Sequence, residues 1–186
     1  MNKRLMLMVT LLTGLLVLTW GVAAQDQPKT PPHWEYEGEE GPDAWGDLDE
    51  SFALCSTGRA QSPIDVTGAA SLNLSDIAFS YLPATNPIIN NGHTIQVNYP
   101  ADGMDNTIVY NETTYDLFQF HFHHPSEHTI DGVPAAMEIH FVHRARNAAG
   151  EKDPNGAIAV VGVMLMEGDE ENIFYTPIFN NLPAVK

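Results

Sequence analysis

Gln119-Phe120-His121-Phe122-His123-His124, followed later by Glu138-Ile139-His140-Phe141-Val142, reads as two β-strands whose inner faces carry imidazoles. In extended backbone, alternate side chains share a face and residues two apart lie about 6.6 Å from one another. Gln119, His121 and His123 therefore fall together, and Phe118, Phe120 and Phe122 fall on the opposite face, which reads as core. With the second run paired to the first at about 4.8 Å, His140 meets the other two rings around one ion. Three neutral nitrogens leave a fourth coordination position open. That separates catalytic zinc from structural zinc, whose four ligands are usually rich in Cys, and Cys55 is the one cysteine of this chain. Gln119 and Glu138 each stand two residues before a candidate ligand on its own face, placed to fix a ring tautomer. A His-x-His pair in a strand is a common pattern by itself, and the second Glu-x-His run is what raises it to a metal site.

Around these runs the pattern is β-dominated. Strand-like segments rich in Ile, Val, Phe and Tyr occur at Ile77 to Tyr81, Thr94 to Tyr99, Thr107 to Tyr110, Tyr115 to His123, Ala136 to His143 and Ala157 to Met166. Asn, Gly, Asp and Pro separate them. Asp131-Gly132 and Asn155-Gly156 are turn signals that favour hairpins and an antiparallel sheet. The expected fold is thus mainly β, a single domain built on a central twisted, mostly antiparallel sheet. Ala157 to Met166 is apolar on both faces, which predicts a central strand. From His33 to Asp49, aromatics interleaved with Gly, Pro and acids predict an irregular packed segment.

The start of the chain has a different character. Lys3 and Arg4, an apolar run from Leu5 to Val22 and the small residues Val22-Ala23-Ala24 predict a secretory signal peptide over residues 1–24, followed by a Pro-rich linker over 25–32. The expected mature protein is secreted or periplasmic and leaves the membrane once the signal is cleaved. The net charge of −16 with only 8 Lys and Arg disfavours nucleic acid and anionic membrane surfaces as partners. Asn73-Leu-Ser75 and Asn111-Glu-Thr113 fit the N-glycosylation pattern, a weak signal that depends on the host.

Cys55-Ser-Thr-Gly-Arg-Ala-Gln61-Ser62-Pro63-Ile64-Asp65, Asn90-Asn91-Gly92-His93 and Ser126-Glu127-His128, taken with the two histidine runs, occur in the order found in the alpha-class carbonic anhydrases, which this chain resembles. His33-Trp34-Glu35-Tyr36 and Trp45 extend the likeness toward the start, and Ala159-Val160-Val161-Gly162 toward the end. The resemblance implies an alpha carbonic anhydrase domain over residues 33–186 and reversible hydration of carbon dioxide to bicarbonate and a proton. It makes His121, His123 and His140 the Zn²⁺ ligands, Gln119 and Glu138 their outer partners, and Glu127 the carboxylate that orients the nucleophile through a threonine. His93 becomes the proton shuttle, Tyr36 and Asn91 hold its water network, and Val142 and Val160 form the apolar wall of the substrate pocket. Glu35 stands where a glycine is usual in the family, a loop position of little expected consequence.

The same likeness predicts an incomplete domain, since the threonine served by Glu127, several later strands and the cysteine that exported members often pair with Cys55 would fall beyond Lys186. Two alternatives stay open in the sequence. One is a non-catalytic zinc-binding remnant of the same fold. The other is a cupin-like metalloenzyme in which Glu127 joins His121, His123 and His140, although Pro125 interrupts the strand that would carry it.

Overall fold

The computed structural model describes residues 32–100 and 105–184. Residues 1–24, and all of 25–32 but Pro32, lie outside the described residues, so the expected signal and most of the linker do too. From His33 onward the described residues belong to one compact unit. Ten strands follow one another: β1 (Asp65–Val66), β2 (Ala78–Ser80), β3 (Ile88–Asn90), β4 (Ile95–Asn98), β5 (Thr107–Tyr110), β6 (Thr113–His123), β7 (Thr129–Ile130), β8 (Val133–Pro134), β9 (Met137–Ala145) and β10 (Ile158–Leu165). Seven of them form one antiparallel sheet in the order β10-β9-β6-β4-β3, with β5 on the same side strand of β6 and β2 on β5. β1, β7 and β8 make a small separate sheet whose β1–β7 pairing is parallel.

Register does the work of assembling the site. His121 lies opposite His140, His123 opposite Glu138, and Gln119 opposite Val142. On the next strand Gly162 faces His140, Val160 faces Val142 and Met164 faces Glu138, while Gln96 and Asn98 of β4 face His121 and Gln119. Because directly opposed residues project to one side, these positions share a single face of the sheet. The other face is the core, where Phe120 meets Phe141 with ring centroids 5.5 Å apart and Phe122 lies opposite the fully buried Ile139.

A bulge in β6 corrects part of the alternation expected from the sequence. Leu117 pairs with His143 but Gln119 pairs with Val142, so Phe118 is an extra residue on β6. One inserted residue reverses the parity of everything before it. Leu117 is therefore the buried core residue, and Phe118 is 44 % exposed instead of joining Phe120 and Phe122. A second correction concerns β10. It was expected in the middle of the sheet, yet it pairs only with β9 among the described residues, leaving Ile158 and Val160 exposed. Apolarity on two faces records what a strand is able to bury, and pairing along its edge is a separate matter.

Among the described residues helical structure is confined to single turns: α1 (Trp45–Leu48), α2 (Leu54–Thr57), α3 (Thr176–Phe179) and three short 3₁₀ turns. Among the described residues no helix is long and apolar enough to cross a membrane. Asp131 and Gly132 form the two-residue turn between β7 and β8, both with positive φ, which is the geometry that matches strand twist. Asn111 and Glu112, with φ of 47° and 64°, make the same kind of turn between β5 and β6. The irregular N-terminal segment is packed by Trp34, Tyr36 and Trp45, whose rings meet edge to face at 5.3 to 5.9 Å. The Trp45 indole N–H donates to the carbonyls of Glu35 and Glu40.

Candidate metal centre

His121, His123 and His140 each offer a ring nitrogen within 4.8 Å of the other two. β6 supplies two of them from alternate positions and β9 the third from directly across the ladder. The tautomers are fixed from outside. The Nδ1–H of His121 donates to Gln119 Oε1 at 2.8 Å, which leaves its Nε2 lone pair for the centre. Glu138 Oε1 lies 2.8 Å from His140 Nε2, a close contact out of line for a good hydrogen bond, so Nδ1 is the atom His140 has free. His123 Nε2 is buried with no hydrogen-bond partner. An orphaned buried nitrogen is costly unless something binds it, and here it points to a ligand shared with two neighbouring imidazoles.

Electrostatics suit a cation. Burial, reinforced by the charge of His140, lowers the pKa of His121 to about 4, and burial with His140 and His121 does the same for His123. Both rings are thus neutral and able to ligate over the physiological range. Glu138 is nearly inaccessible. Burial pushes its pKa up, but hydrogen bonds from the backbone and ring of His128, with the His140 ring close by, outweigh this and hold it below the usual carboxylate value. The backbone N–H groups of Glu127 and His128 both donate to its Oε2 at 3.0 Å. The Nδ1–H of His128 donates to Oε1 at 2.7 Å, and the Ser62 hydroxyl lies 3.3 Å from the far nitrogen of that ring. A chain of contacts therefore runs from Ser62 through His128 and Glu138 to His140.

Glu127 approaches the same centre without joining it. Its carboxylate lies 3.3 Å from His123 Nδ1 and 3.7 Å from His140 Nδ1. Burial raises its pKa against the opposing pull of the histidines and of a hydrogen bond from Tyr36. Burial and this carboxylate in turn push the Tyr36 hydroxyl up to about 12, so it is a permanent donor. Neither group of side chains able to hold a metal contains Glu127; the second consists of His128, Glu138 and His140 and shares the buttressing contacts just described. The cupin-like alternative needs Glu127 as a ligand, and neither group found among the described residues includes it.

The remaining expected residues sit farther out. His93 is stacked on Trp34, centroids 3.9 Å apart, and its Nε2–H donates to the Trp34 carbonyl at 2.9 Å. Asn91 holds that loop by accepting the backbone N–H groups of His93 and Thr94, and its amide donates to Gln96 at 3.4 Å. Gln96 donates to Asn98 at 2.6 Å, so a row of amides joins the His93 loop to the face of His121. Val142 is half-buried between Gln119 and Val160. Val160 lines a cavity of about 520 Å³ with His140, Glu127 and Gly162, and Val142 does not reach it. On the other side, Trp34, Tyr36, Phe52 and Cys55 close a second cavity of about 320 Å³ over His121 and His123.

Gln96 and Asn98 escaped the reading of the sequence, and Gly162 was legible there only as the end of a motif, with no role of its own. A Cβ on Gly162 would stand 2.6 Å from Glu138 Oε1, so only glycine leaves room for that carboxylate. The signal was present in the alternation of Val160, Gly162 and Met164, but it becomes visible only once β10 is set in register against β9.

The profile of the eukaryotic-type carbonic anhydrases matches residues 40–186. The chain is 42 % identical over 172 residues to the carbonic anhydrase of Neisseria gonorrhoeae, covering 92 % of this chain and 64 % of that one. It is 43 % identical over 138 residues to the carbonic anhydrase of Klebsiella pneumoniae, covering 74 % and 52 %. The solved structure of Photobacterium profundum alpha-carbonic anhydrase superposes with a TM-score of 0.71 at 36 % identity, over 82 % of this chain and 64 % of that one. The chain thus spans about half to 64 % of the length of these relatives. A sheet whose register gathers three imidazoles on one face, and a sequence that matches over more than half its length, place the chain in the eukaryotic-type carbonic anhydrase family.

Proposed function

We propose that this protein binds Zn²⁺ through His121, His123 and His140 and catalyses the reversible hydration of carbon dioxide to bicarbonate and a proton. The observation that carries the reading is the grouping of one ring nitrogen each from His121, His123 and His140 within 4.8 Å, with the Nε2 of His123 buried and unpartnered. The all-imidazole donor set suits zinc, and the relatives are named carbonic anhydrases. When bound, zinc supplies the Lewis acidity that makes water a nucleophile near neutral pH.

Each residue of the chain then has a task of its own. Gln119 and Glu138 hold His121 and His140 in the tautomers that aim a lone pair at the centre. Glu138 itself is held by two backbone N–H groups. Val160 gives carbon dioxide an apolar surface beside His140, with Val142 packed behind it across the ladder. His93 accepts the released proton at Nδ1, because its Nε2–H is committed to the Trp34 carbonyl. Asn91, Gln96 and Asn98 order the path toward it. Tyr36 restrains Glu127 beside the ligands.

We also infer export: the basic start, apolar run and small residues of 1–24 support a cleaved signal and a secreted or periplasmic location. Mass spectrometry of protein recovered outside the cytoplasm should begin at Gln25. Stopped-flow hydration assays test the catalytic reading: His93→Ala should slow turnover at low buffer concentration and regain it with added imidazole. Metal content of one zinc per chain with no hydration activity would instead favour the non-catalytic zinc-binding alternative.

A further inference from the structure

Beyond the metal centre, β9 carries a cationic side chain on the same face. Glu138, His140, Val142 and Arg144 alternate along it, which sets Arg144 about 13 Å from His140 at roughly 3.3 Å per residue. Arg144 is half-buried, and its guanidinium stands 4.6 Å from the centre of the Phe118 ring. The bulge in β6 is what delivers Phe118 there. Other cations nearby are satisfied: Arg146 makes a bidentate pair with Asp116 and reaches Asp105, and Lys152 pairs with Asp105. Among the described residues Arg144 has no acidic partner, and its Nε is buried with no hydrogen bond.

This cation borders a cavity of about 330 Å³ between β6, β9 and the loop before β10. Tyr99, Pro100, Leu117, Phe118 and Pro154 line it with predominantly apolar surface. Asp116, Lys152 and Asp153 also border it: Asp116 is paired with Arg146, Lys152 with Asp105, and Asp153 accepts the backbone N–H of Asn155. A planar guanidinium that has no acidic partner among the described residues matches a carboxylate. Two carboxylates on the rim oppose a second negative charge, and the apolar lining favours a hydrocarbon body. We propose that this cavity binds small organic monocarboxylates, with the anionic head on Arg144 and the apolar body against Pro100, Pro154 and Leu117. The site is separate from the imidazole triad and does not depend on the catalytic reading.

Benzoate is the probe, with neutral benzamide as its control, followed on the full chain by two-dimensional NMR. Benzoate should shift the Arg144 side-chain Nε–H and the backbone signals of Leu117 and Phe118, and benzamide should bind at least about tenfold more weakly. Arg144→Gln should weaken benzoate by about tenfold or more, Arg144→Lys should retain part of the affinity, and His121→Ala should leave it unchanged. The spectrum of each variant establishes that it is folded. Equal affinity for benzoate in folded Arg144→Gln and the parent, or shifts centred on His121, His123 and His140 that vanish in His121→Ala, would overturn the proposal.

Discussion

Each imidazole of the centre is defined by what its second nitrogen touches, and the consequences of changing one residue follow from that. Removing His121, His123 or His140 by substitution with Ala should abolish stoichiometric zinc, read by elemental analysis of the purified protein, whereas Glu127→Ala should keep it. Retention of metal by His140→Ala together with loss in Glu127→Ala would favour a carboxylate-containing site. Gln119→Ala should leave the ligands in place but free the His121 ring, weakening zinc by about 10- to 100-fold, measured by competition with a chelator. The metal-free protein should also show a pH signature. His121 and His123 have a folded pKa of about 4 against an ordinary 6.5, so between those values the unfolded chain takes up protons that the folded one refuses. Their contribution to stability is therefore complete above pH 6.5 and declines as the pH falls toward 4. Urea melts of the metal-free chain should lose stability across that window, and the double variant His121→Asn/His123→Asn should show a shallower slope. Identical slopes would mean the acid sensitivity arises elsewhere.

Strand pairing converts these residues into a site. Three neighbouring strands place His121, His140 and Gly162 in one row, and glycine in that row is a packing requirement: Glu138 fills the space a side chain would take. Gly162→Ala should preserve the sheet, since pairing runs through the backbone, yet displace the Glu138 carboxylate and weaken zinc by about tenfold. Circular dichroism and zinc titration together check this; unchanged affinity would show that Glu138 yields without cost. The β6 bulge has the opposite character, a feature that no alternation rule anticipates. It lets Leu117 enter the core and Gln119 face the metal within one strand, and it leaves Phe118 outside against Arg144. Asn111 belongs to the same scale: the position singled out for a glycosylation pattern is half of a tight turn with positive φ, which asparagine tolerates better than most residues.

Across the whole molecule, apolar surface is distributed unevenly. β10 is uncharged along Ile158 to Leu165 and has an unpaired edge among the described residues, and beyond it Met166 and Phe174 are 77 % and 81 % exposed. Edges of this kind invite pairing with other chains. Light scattering of the chain should therefore show concentration-dependent association, and Met166→Lys/Phe174→Ser should reduce it; indifference to both substitutions would acquit this surface. The sequence by itself determined a great deal here: six of the ten strands, the antiparallel arrangement, the parity of Gln119, His121 and His123, and that of Glu138 and His140. These are legible because a period of two is a local property of the backbone. β1, β3, β7 and β8 were not legible, being two or three residues long and held by their partners. Only the tertiary structure decided that Phe118 leaves the core, that β10 pairs only with β9 among the described residues, that Gly162 shelters Glu138 and that Arg144 stands over an apolar cavity. Each of these depends on which residue lies across the ladder, and register is set by packing between segments far apart in the chain, which no single segment encodes.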